Sequence, residues 1–130
     1  MDRIFLDANV LFSAAYSRDS GLHRIWKLDV ELSTSFYALE EARANIETHE
    51  QDERLNHLIK SVFVIPTQTD WELPEDFELA EKDRPILAAA VAADAAYLLT
   101  GDFTHFGKYF GKKVFGVVIL PAANYLRLHK

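Results

Sequence analysis

Ile4-Phe5-Leu6-Asp7-Ala8-Asn9 is the stretch that decides the fold, because it is an apolar run that ends in two polar side chains. Three consecutive large apolar residues are typical of a strand that is buried on both faces of a sheet. We therefore predict a short buried strand at Arg3–Asp7. An aspartate directly after such a strand either caps the next helix or faces a site at the carboxyl end of the sheet.

The rest of the chain alternates between strand-like and helix-like segments, with apolar residues at spacings of two or of three to four. The further predicted strands are Glu31–Ser35, Ser61–Pro66, Tyr97–Gly101 and Val114–Leu120. The predicted helical segments are Val10–Tyr16, Leu22–Leu28, Phe36–His49, Asp52–Lys60, Arg84–Ala93, Phe103–Phe110 and Pro121–His129, and Thr67–Glu78 is predicted to be a loop. Strands separated by helices indicate a parallel sheet that is covered on both faces. We predict an α/β fold: a single three-layer α/β/α domain over residues 1–130, with a mostly parallel sheet of about five strands.

Composition limits the classes of function. The 130 residues are about half hydrophobic, include no cysteine and have a formal net charge of −6. The lack of cysteine excludes disulfides, thiolate catalysis and cysteine–zinc sites. Net acidity argues against a broad basic surface for nucleic acid, but less so against a nuclease whose acids bind cations. No signal-peptide pattern is present, and no apolar run reaches the roughly 18 residues that a bilayer requires, so we expect a cytoplasmic protein without membrane contact.

Four acidic positions occur where a metal site would need them. Asp7 and Asp102 follow predicted strands, and Asp83 and either Glu40 or Glu41 lie near the starts of predicted helices. If the strands before Asp7 and Asp102 are neighbours, these two carboxylates meet at the carboxyl edge of the sheet. Clustered carboxylates bind hard cations such as Mg²⁺ or Mn²⁺, which act on phosphates. Helix capping is the alternative role for the aspartates, and helical spacing alone does not choose between the two glutamates.

Other side chains are candidates for supporting the site and for binding substrate. Asn9 is placed to hydrogen-bond Asp7 or a metal-bound water, and Thr100 is placed to support a carboxylate or a phosphate oxygen. His105 is a candidate for substrate contact, although a single histidine is more often structural. The candidate phosphate-binding residues are Arg43, Arg84, Lys108, Lys112 and Lys113, and the candidate base-stacking residues are Tyr16, Phe103 and Tyr109.

Several segments, in this order, resemble the PIN-domain family of metal-dependent nucleases. They are Ile4–Leu11, Ala38–Ile46, Asp83–Ala90, Tyr97–Phe103 and the closing Val118–Ala122 followed by Tyr125-Leu126. The resemblance implies Glu41 instead of Glu40, and it implies that Asp7, Glu41, Asp83 and Asp102 are the catalytic and metal-binding residues. It also implies Mg²⁺ or Mn²⁺ as cofactor, RNA as the commonest substrate and frequent homodimers. Many small members are VapC-like toxins that a small antitoxin protein holds inactive.

We therefore predict a Mg²⁺- or Mn²⁺-dependent endoribonuclease that hydrolyses single-stranded RNA and, like many small relatives, acts as the toxin of a toxin–antitoxin pair. Asp7 and Asp102 are expected to bind the metal directly. Two alternatives remain open. A haloacid-dehalogenase-type phosphatase also uses an aspartate after its first strand, but Asn9 stands where its second aspartate would be. A non-catalytic binding module would use the acids only as helix caps.

Overall fold

Residues 1–66 and 71–129, the part of the chain that the computed structural model describes, form a six-stranded sheet with helices on both faces. The strands are β1 (Asp2–Leu6), β2 (Val30–Ser35), β3 (Val62–Ile65), β4 (Tyr97–Leu99), β5 (Lys113–Val114) and β6 (Val117–Leu120). Their order is β3-β2-β1-β4-β6-β5, and every neighbouring pair is parallel except β5 and β6. The predicted three-layer α/β architecture is thus confirmed, with one strand more than expected.

The helices divide into two layers, one on each face of the sheet. They are α1 (Ala8–Tyr16), α2 (Phe36–Ala44), α3 (His49–Ile59), α4 (Arg84–Ala92), α5 (Phe103–Phe106) and α6 (Ala122–Leu128), with 3₁₀ helices at Gly21–Lys27, Glu81–Asp83 and Gly107–Tyr109. Ile4 and Leu6 pack into a core with residues of α1, α2, α3 and α6. Phe5, which points to the opposite face, packs with residues of α4 and α5. Burial on both faces explains why β1 is continuously apolar.

The strand order reverses at β1, which has β2 and β3 on one side and β4 and β6 on the other. In parallel sheets such a reversal opens a crevice at the carboxyl ends of the two strands that flank it. Here the backbone amide of Asp7 donates a hydrogen bond of 3.0 Å to the carbonyl of Leu99, so the carboxyl ends of β1 and β4 are adjacent. The residues that follow these two strands therefore begin in neighbouring positions.

The helix predicted at Phe36–His49 is wrong in its extent, because the structure divides it into α2 and the start of α3. The hydroxyl of Thr48 accepts a hydrogen bond of 3.1 Å from the amide of Gln51. The side chain of Gln51 accepts one of 3.3 Å from the amide of Thr48. This reciprocal capping starts a new helix and ends the old one.

The final strand predicted at Val114–Leu120 is also wrong in its extent, because it is a hairpin of β5 and β6. Phe115 and Gly116, at φ values of 50° and 88°, form the turn. Two consecutive residues at positive φ give a turn whose twist matches that of a hairpin. The resulting antiparallel edge strand was not predicted.

The segment predicted as a loop, Thr67–Glu78, is described only from residue 71 onward, and residues 67–70 lie outside the described residues. From residue 71 to residue 78 the chain forms neither helix nor strand. Among the helices that the structure describes, none has the length and apolar character needed to cross a bilayer.

Candidate active site

Asp7 lies in the crevice between β1 and β4, and only 4% of its surface is exposed. Its Oδ1 accepts a hydrogen bond of 2.6 Å from the amide of Ala8, so Asp7 caps α1. Its Oδ2 accepts a hydrogen bond of 2.8 Å from the hydroxyl of Thr100. One oxygen of the Asp7 carboxylate therefore caps α1, and the other faces the crevice.

Asp7 and Asp83 both have raised pKa values, and neighbouring acids contribute to each of them. Burial raises the pKa of Asp7 to about 6, against the lowering effect of its hydrogen bonds, and the charges of Asp83 and Glu41 raise it further. Burial also raises the pKa of Asp83, and the charge of Asp102 adds to that effect. Asp7, Glu41, Asp83 and Asp102 come from four separate segments. Of these, Asp83 and Asp102 are close enough to share an ion together with His105, and Asp7 interacts with Asp83 and Glu41 through charge.

Asp83 and Asp102, two of the four acids, lie close to His105. The Nδ1 atom of His105 lies 2.6 Å from Oδ2 of Asp83 and 3.0 Å from Oδ2 of Asp102. One ligand atom from each of the three residues lies within 4.8 Å of the other two. As in Asp7, the second oxygen of Asp102 has another partner, because Oδ1 caps α5 by accepting a hydrogen bond of 3.0 Å from the amide of His105.

Asp83 differs from the other two aspartates because it caps nothing. It precedes α4, but its side chain makes no capping hydrogen bond, and only 7% of the residue is exposed. Within the described residues, neither Oδ2 of Asp83 nor Nδ1 of His105 has a hydrogen-bond partner, since the ring is not aligned for a bond although the two atoms are close. A buried carboxylate oxygen without a donor is costly. A divalent cation between these atoms would remove that cost.

Glu41 approaches the site from α2, and it is half-buried whereas Glu40 is exposed. Its neighbour Tyr37 has a pKa raised to about 12, first by burial, then by a hydrogen bond that Glu41 accepts and by the negative charge of Glu41. The Tyr37 hydroxyl also donates a hydrogen bond of 2.8 Å to the carbonyl of Lys82. Tyr37 thus connects the helix that carries Glu41 to the residue before Asp83.

Asn9 and Thr100, the two predicted supporting residues, connect the ends of β1 and β4. The Asn9 side-chain amide lies 3.3 Å from the Thr100 hydroxyl and 3.4 Å from Oδ2 of Asp7. Its Oδ1 accepts a hydrogen bond of 2.6 Å from the amide of Gly101. A Cβ at Gly101 would lie only 3.3 Å from that oxygen, so glycine suits this close approach.

Arg84, a predicted phosphate-binding residue, holds the loop before α4. Its Nη1 donates to the carbonyl of Phe77 at 2.7 Å, and its Nη2 donates to the carbonyls of Pro74 at 2.7 Å and Leu73 at 3.3 Å. Three carbonyl partners satisfy much of the donor capacity of one guanidinium. The structure gives Arg84 a structural role, and substrate binding by it stays a prediction.

The other predicted phosphate-binding residues either have partners or are exposed. Arg43 donates a hydrogen bond of 2.9 Å to Asn56, and Lys108 forms an exposed ion pair of 2.8 Å with Glu78. Lys112 and Lys113 are exposed. Exposed pairs of this kind break at little cost, so phosphate binding by Lys108 also stays a prediction.

Sequence reasoning missed two residues of this site. His105 was considered only for substrate contact, yet its position three residues after Asp102 is a helical spacing that brings the two side chains together. Tyr37 was not considered at all, although it precedes Glu41 by four residues on the same helix. In both cases the signal was a side-chain pair at helical spacing and not a motif.

The fold is an α/β domain whose acidic side chains lie in a crevice at the carboxyl ends of parallel strands. A family model described as PIN domain matches residues 3–104, a range that includes all four acids. The chain therefore belongs to the PIN domain family, whose members are generally nucleases.

One solved structure shows the same fold. It is a chain of VapBC2 from Rickettsia felis, in a crystal structure bound to a DNA fragment from their promoter, and it aligns with a TM-score of 0.66 and 13% sequence identity. The alignment covers 92% of the present chain and 98% of that chain. No curated protein matches the sequence. At this level of identity the likeness concerns the fold alone.

Proposed function

We propose that this protein is a Mg²⁺- or Mn²⁺-dependent endoribonuclease that hydrolyses phosphodiester bonds of single-stranded RNA. The observation that carries the proposal is the buried Oδ2 of Asp83, which has no hydrogen-bond partner among the described residues and faces Asp102 across the crevice. Asp7 and Glu41 add their charges to the same place. Such a cluster is stable only with protons or with cations.

The donor set suits a divalent ion. Carboxylate oxygens are the ligands that Mg²⁺ and Mn²⁺ prefer, and Asp7, Glu41, Asp83 and Asp102 are the residues that would hold the ion. When bound, the ion supplies water activation and charge stabilisation at the phosphate. Asn9 and Thr100 orient Asp7, since Thr100 donates to the carboxylate and Asn9 contacts both residues.

The rim of the crevice offers surfaces for unpaired bases. Phe103, directly after Asp102, is 66% exposed, and Phe36, at the start of the helix that carries Glu41, is 54% exposed. Exposed aromatic rings stack on the bases of single strands, which a paired helix does not offer. We therefore propose single-stranded RNA, with Phe103 and Phe36 contacting bases.

The likeness to a chain of VapBC2 supports a role as the toxin of a toxin–antitoxin pair, with a small antitoxin protein as partner. We propose further that residues 1–130 form one PIN-like domain, that the protein acts in the cytoplasm and that it forms a homodimer. The family match favours the nuclease over both alternatives. The phosphatase would need a second aspartate at position 9, where this chain has Asn9.

The test is cleavage of labelled single-stranded RNA with Mg²⁺, with Mn²⁺ and with a chelator, for the wild type, Asp83→Asn and the control Glu81→Gln. Glu81 is exposed in the 3₁₀ helix that precedes α4. We expect metal-dependent cleavage that Asp83→Asn reduces at least a hundredfold and that Glu81→Gln leaves unchanged. Cleavage that persists in the chelator, or that Asp83→Asn retains, would overturn the proposal. Phosphate release from small monoesters would support the phosphatase instead.

A further inference from the structure

We infer that the imidazole of His105 is itself a metal ligand, and that it gives the site a preference for Mn²⁺ over Mg²⁺. The inference rests on the proposed function, because it concerns the metal of the same site. It goes further in adding a nitrogen donor to a set of carboxylates and in predicting which ion the protein selects.

The first argument is the convergence of three atoms. Nδ1 of His105 lies 2.6 Å from one carboxylate oxygen of Asp83 and 3.0 Å from one of Asp102, although 32% of the His105 side chain is exposed. The exposed part is therefore not Nδ1, which is buried and faces the two acids. A histidine whose only role was to be hydrated at the surface would expose its ring nitrogens to water.

The second, independent argument is that this contact gives neither atom an aligned hydrogen bond. Asp83 is more than nine-tenths buried, and across residues 1–66 and 71–129 nothing donates a hydrogen bond to its Oδ2. The ring nitrogen opposite makes no aligned hydrogen bond either, although it lies within ion-pair distance of both acids. Two buried polar atoms that lie this close without an aligned hydrogen bond between them are arranged as ligands around a common centre.

The third argument is that local structure positions the ring. The amide of His105 donates a hydrogen bond of 3.0 Å to Oδ1 of Asp102, and the amide of Phe106 donates one of 3.1 Å to the carbonyl of Asp102. Phe106 is fully buried in the core below α5. The turn that carries His105 is therefore held at Asp102, which caps it, and at Phe106, which is buried in the core. These two contacts keep the imidazole on the side of Asp83 and Asp102.

Ligand chemistry then determines the preference. Mg²⁺ favours six oxygen ligands and keeps several waters, so an imidazole adds little to its binding. Transition ions accept nitrogen more readily, and Mn²⁺ is the one among them that also favours carboxylates. A site of two carboxylates and one imidazole should therefore favour Mn²⁺ by more than a site of carboxylates alone.

The test measures metal binding directly on the full chain, without an activity assay. Mn²⁺ is titrated while free Mn²⁺ is followed by electron paramagnetic resonance, Mg²⁺ binding is measured by competition, and pulsed resonance detects nitrogen coupled to bound Mn²⁺. His105→Asn places an amide oxygen near the Nδ1 position, which keeps a donor but removes the imidazole. His57→Asn, at an exposed histidine on α3, is the matched control.

We expect an imidazole nitrogen signal in the wild type and in His57→Asn that His105→Asn abolishes, with a tenfold or larger fall in the preference for Mn²⁺ over Mg²⁺. Bound Mn²⁺ without nitrogen coupling in the wild type would overturn the inference and assign His105 as a counter-ion of the two acids. That result would leave the proposed nuclease intact. Tight Mn²⁺ binding with the nitrogen signal, but without any cleavage of RNA, would instead overturn the proposed function and support the inference.

Discussion

The hydroxyl of Thr100 donates a hydrogen bond of 2.8 Å to Oδ2 of Asp7, and it does so across 93 positions of sequence. The same hydroxyl oxygen accepts a hydrogen bond of 3.1 Å from the amide of Asp102. One small side chain therefore sets the position of two acids that follow neighbouring strands. Because the hydroxyl acts as donor and acceptor at once, no apolar residue of the same size can replace it.

Thr100→Val tests this connection. Valine keeps the shape but leaves a buried carboxylate oxygen and an amide without their partner, so we expect a loss of about 1–3 kcal/mol in the free energy of unfolding. Metal affinity should fall about 10- to 100-fold, as is usual when a supporting contact of a ligand is lost. Urea denaturation and metal titration measure the two effects. Thr104→Val, at an exposed threonine of α5, is the control, and equal effects of both variants would contradict the assignment.

Asp83→Asn should separate stability from metal binding. Its carboxylate is buried and its pKa is raised, chiefly by burial, so removing the charge should stabilise the metal-free protein by about 1 kcal/mol, or a few degrees in Tm. The same change should abolish the rise in Tm that Mn²⁺ or Mg²⁺ produces. Thermal melts with and without metal test both parts. A variant that is less stable without metal would show that the charge has a partner within the fold.

The stability of the metal-free protein should depend on the protonation of Asp7. Its pKa is about 6 in the folded state against an ordinary value of 3.8, so the folded protein binds the proton more tightly than the unfolded chain does. This group therefore stabilises the fold below about pH 4, and the contribution is lost as the pH rises through about 6. The loss should be up to about 3 kcal/mol.

The measurement is the difference between the wild type and Asp7→Asn in the free energy of unfolding from pH 4 to pH 7, in the presence of a chelator. Taking the difference removes the titration of the other groups from the comparison. The same slope in both proteins would show that Asp7 titrates alike in the folded and unfolded states. Adding Mn²⁺ should flatten the wild-type slope, because the ion favours the ionised carboxylate.

Arg84→Lys should distinguish the two roles considered for this residue. Lysine keeps the charge but cannot donate at once to the carbonyls of Leu73, Pro74 and Phe77, so we expect a loss of about 1–3 kcal/mol in stability. If Arg84 served RNA alone, Arg84→Lys would keep its stability and raise KM. Denaturation and kinetics on the same preparation settle the question, with Lys82→Ala at an exposed neighbour as control.

Phe103→Ala tests the proposed stacking surface. The ring is 66% exposed and packs edge-to-face on Phe110 with a centroid distance of 5.1 Å, so its loss should change stability little. The loss of one stacked base should raise KM for single-stranded RNA about tenfold or more. Phe63→Ala, at a 71% exposed ring on the edge strand β3, is the control. An unchanged KM for Phe103→Ala would remove this residue from the substrate surface.

The general architecture could be predicted because it follows from periodicity. The apolar run at β1 and the alternation with helices were sufficient for a parallel sheet, and the positions of Asp7 and Asp102 after strands were sufficient to expect them in one crevice. The division between α2 and α3 was missed because Thr48 and Gln51 had not been considered as a capping pair. The hairpin was missed because Phe115 is an unusual residue at positive φ.

The electrostatics of the site could not be predicted from the sequence. The role of Arg84 depends on the path of a loop that has no periodic pattern. The contact between His105 and Asp83 joins residues from different segments, so no local spacing reveals it. Which oxygen of each carboxylate remains available depends on the angle of its helix cap, and that angle exists only in the folded chain.

Asp7 and Asp102 each use one oxygen to start a helix and direct the other into the crevice. Mutational tolerance at these positions should therefore be asymmetric. Asparagine keeps an oxygen for the cap and replaces the crevice-facing oxygen by an amide nitrogen, whereas alanine costs about 1 kcal/mol of helix capping as well. A lineage of this protein that gave up catalysis while keeping its shape would be expected to pass through asparagine at positions 7 and 102.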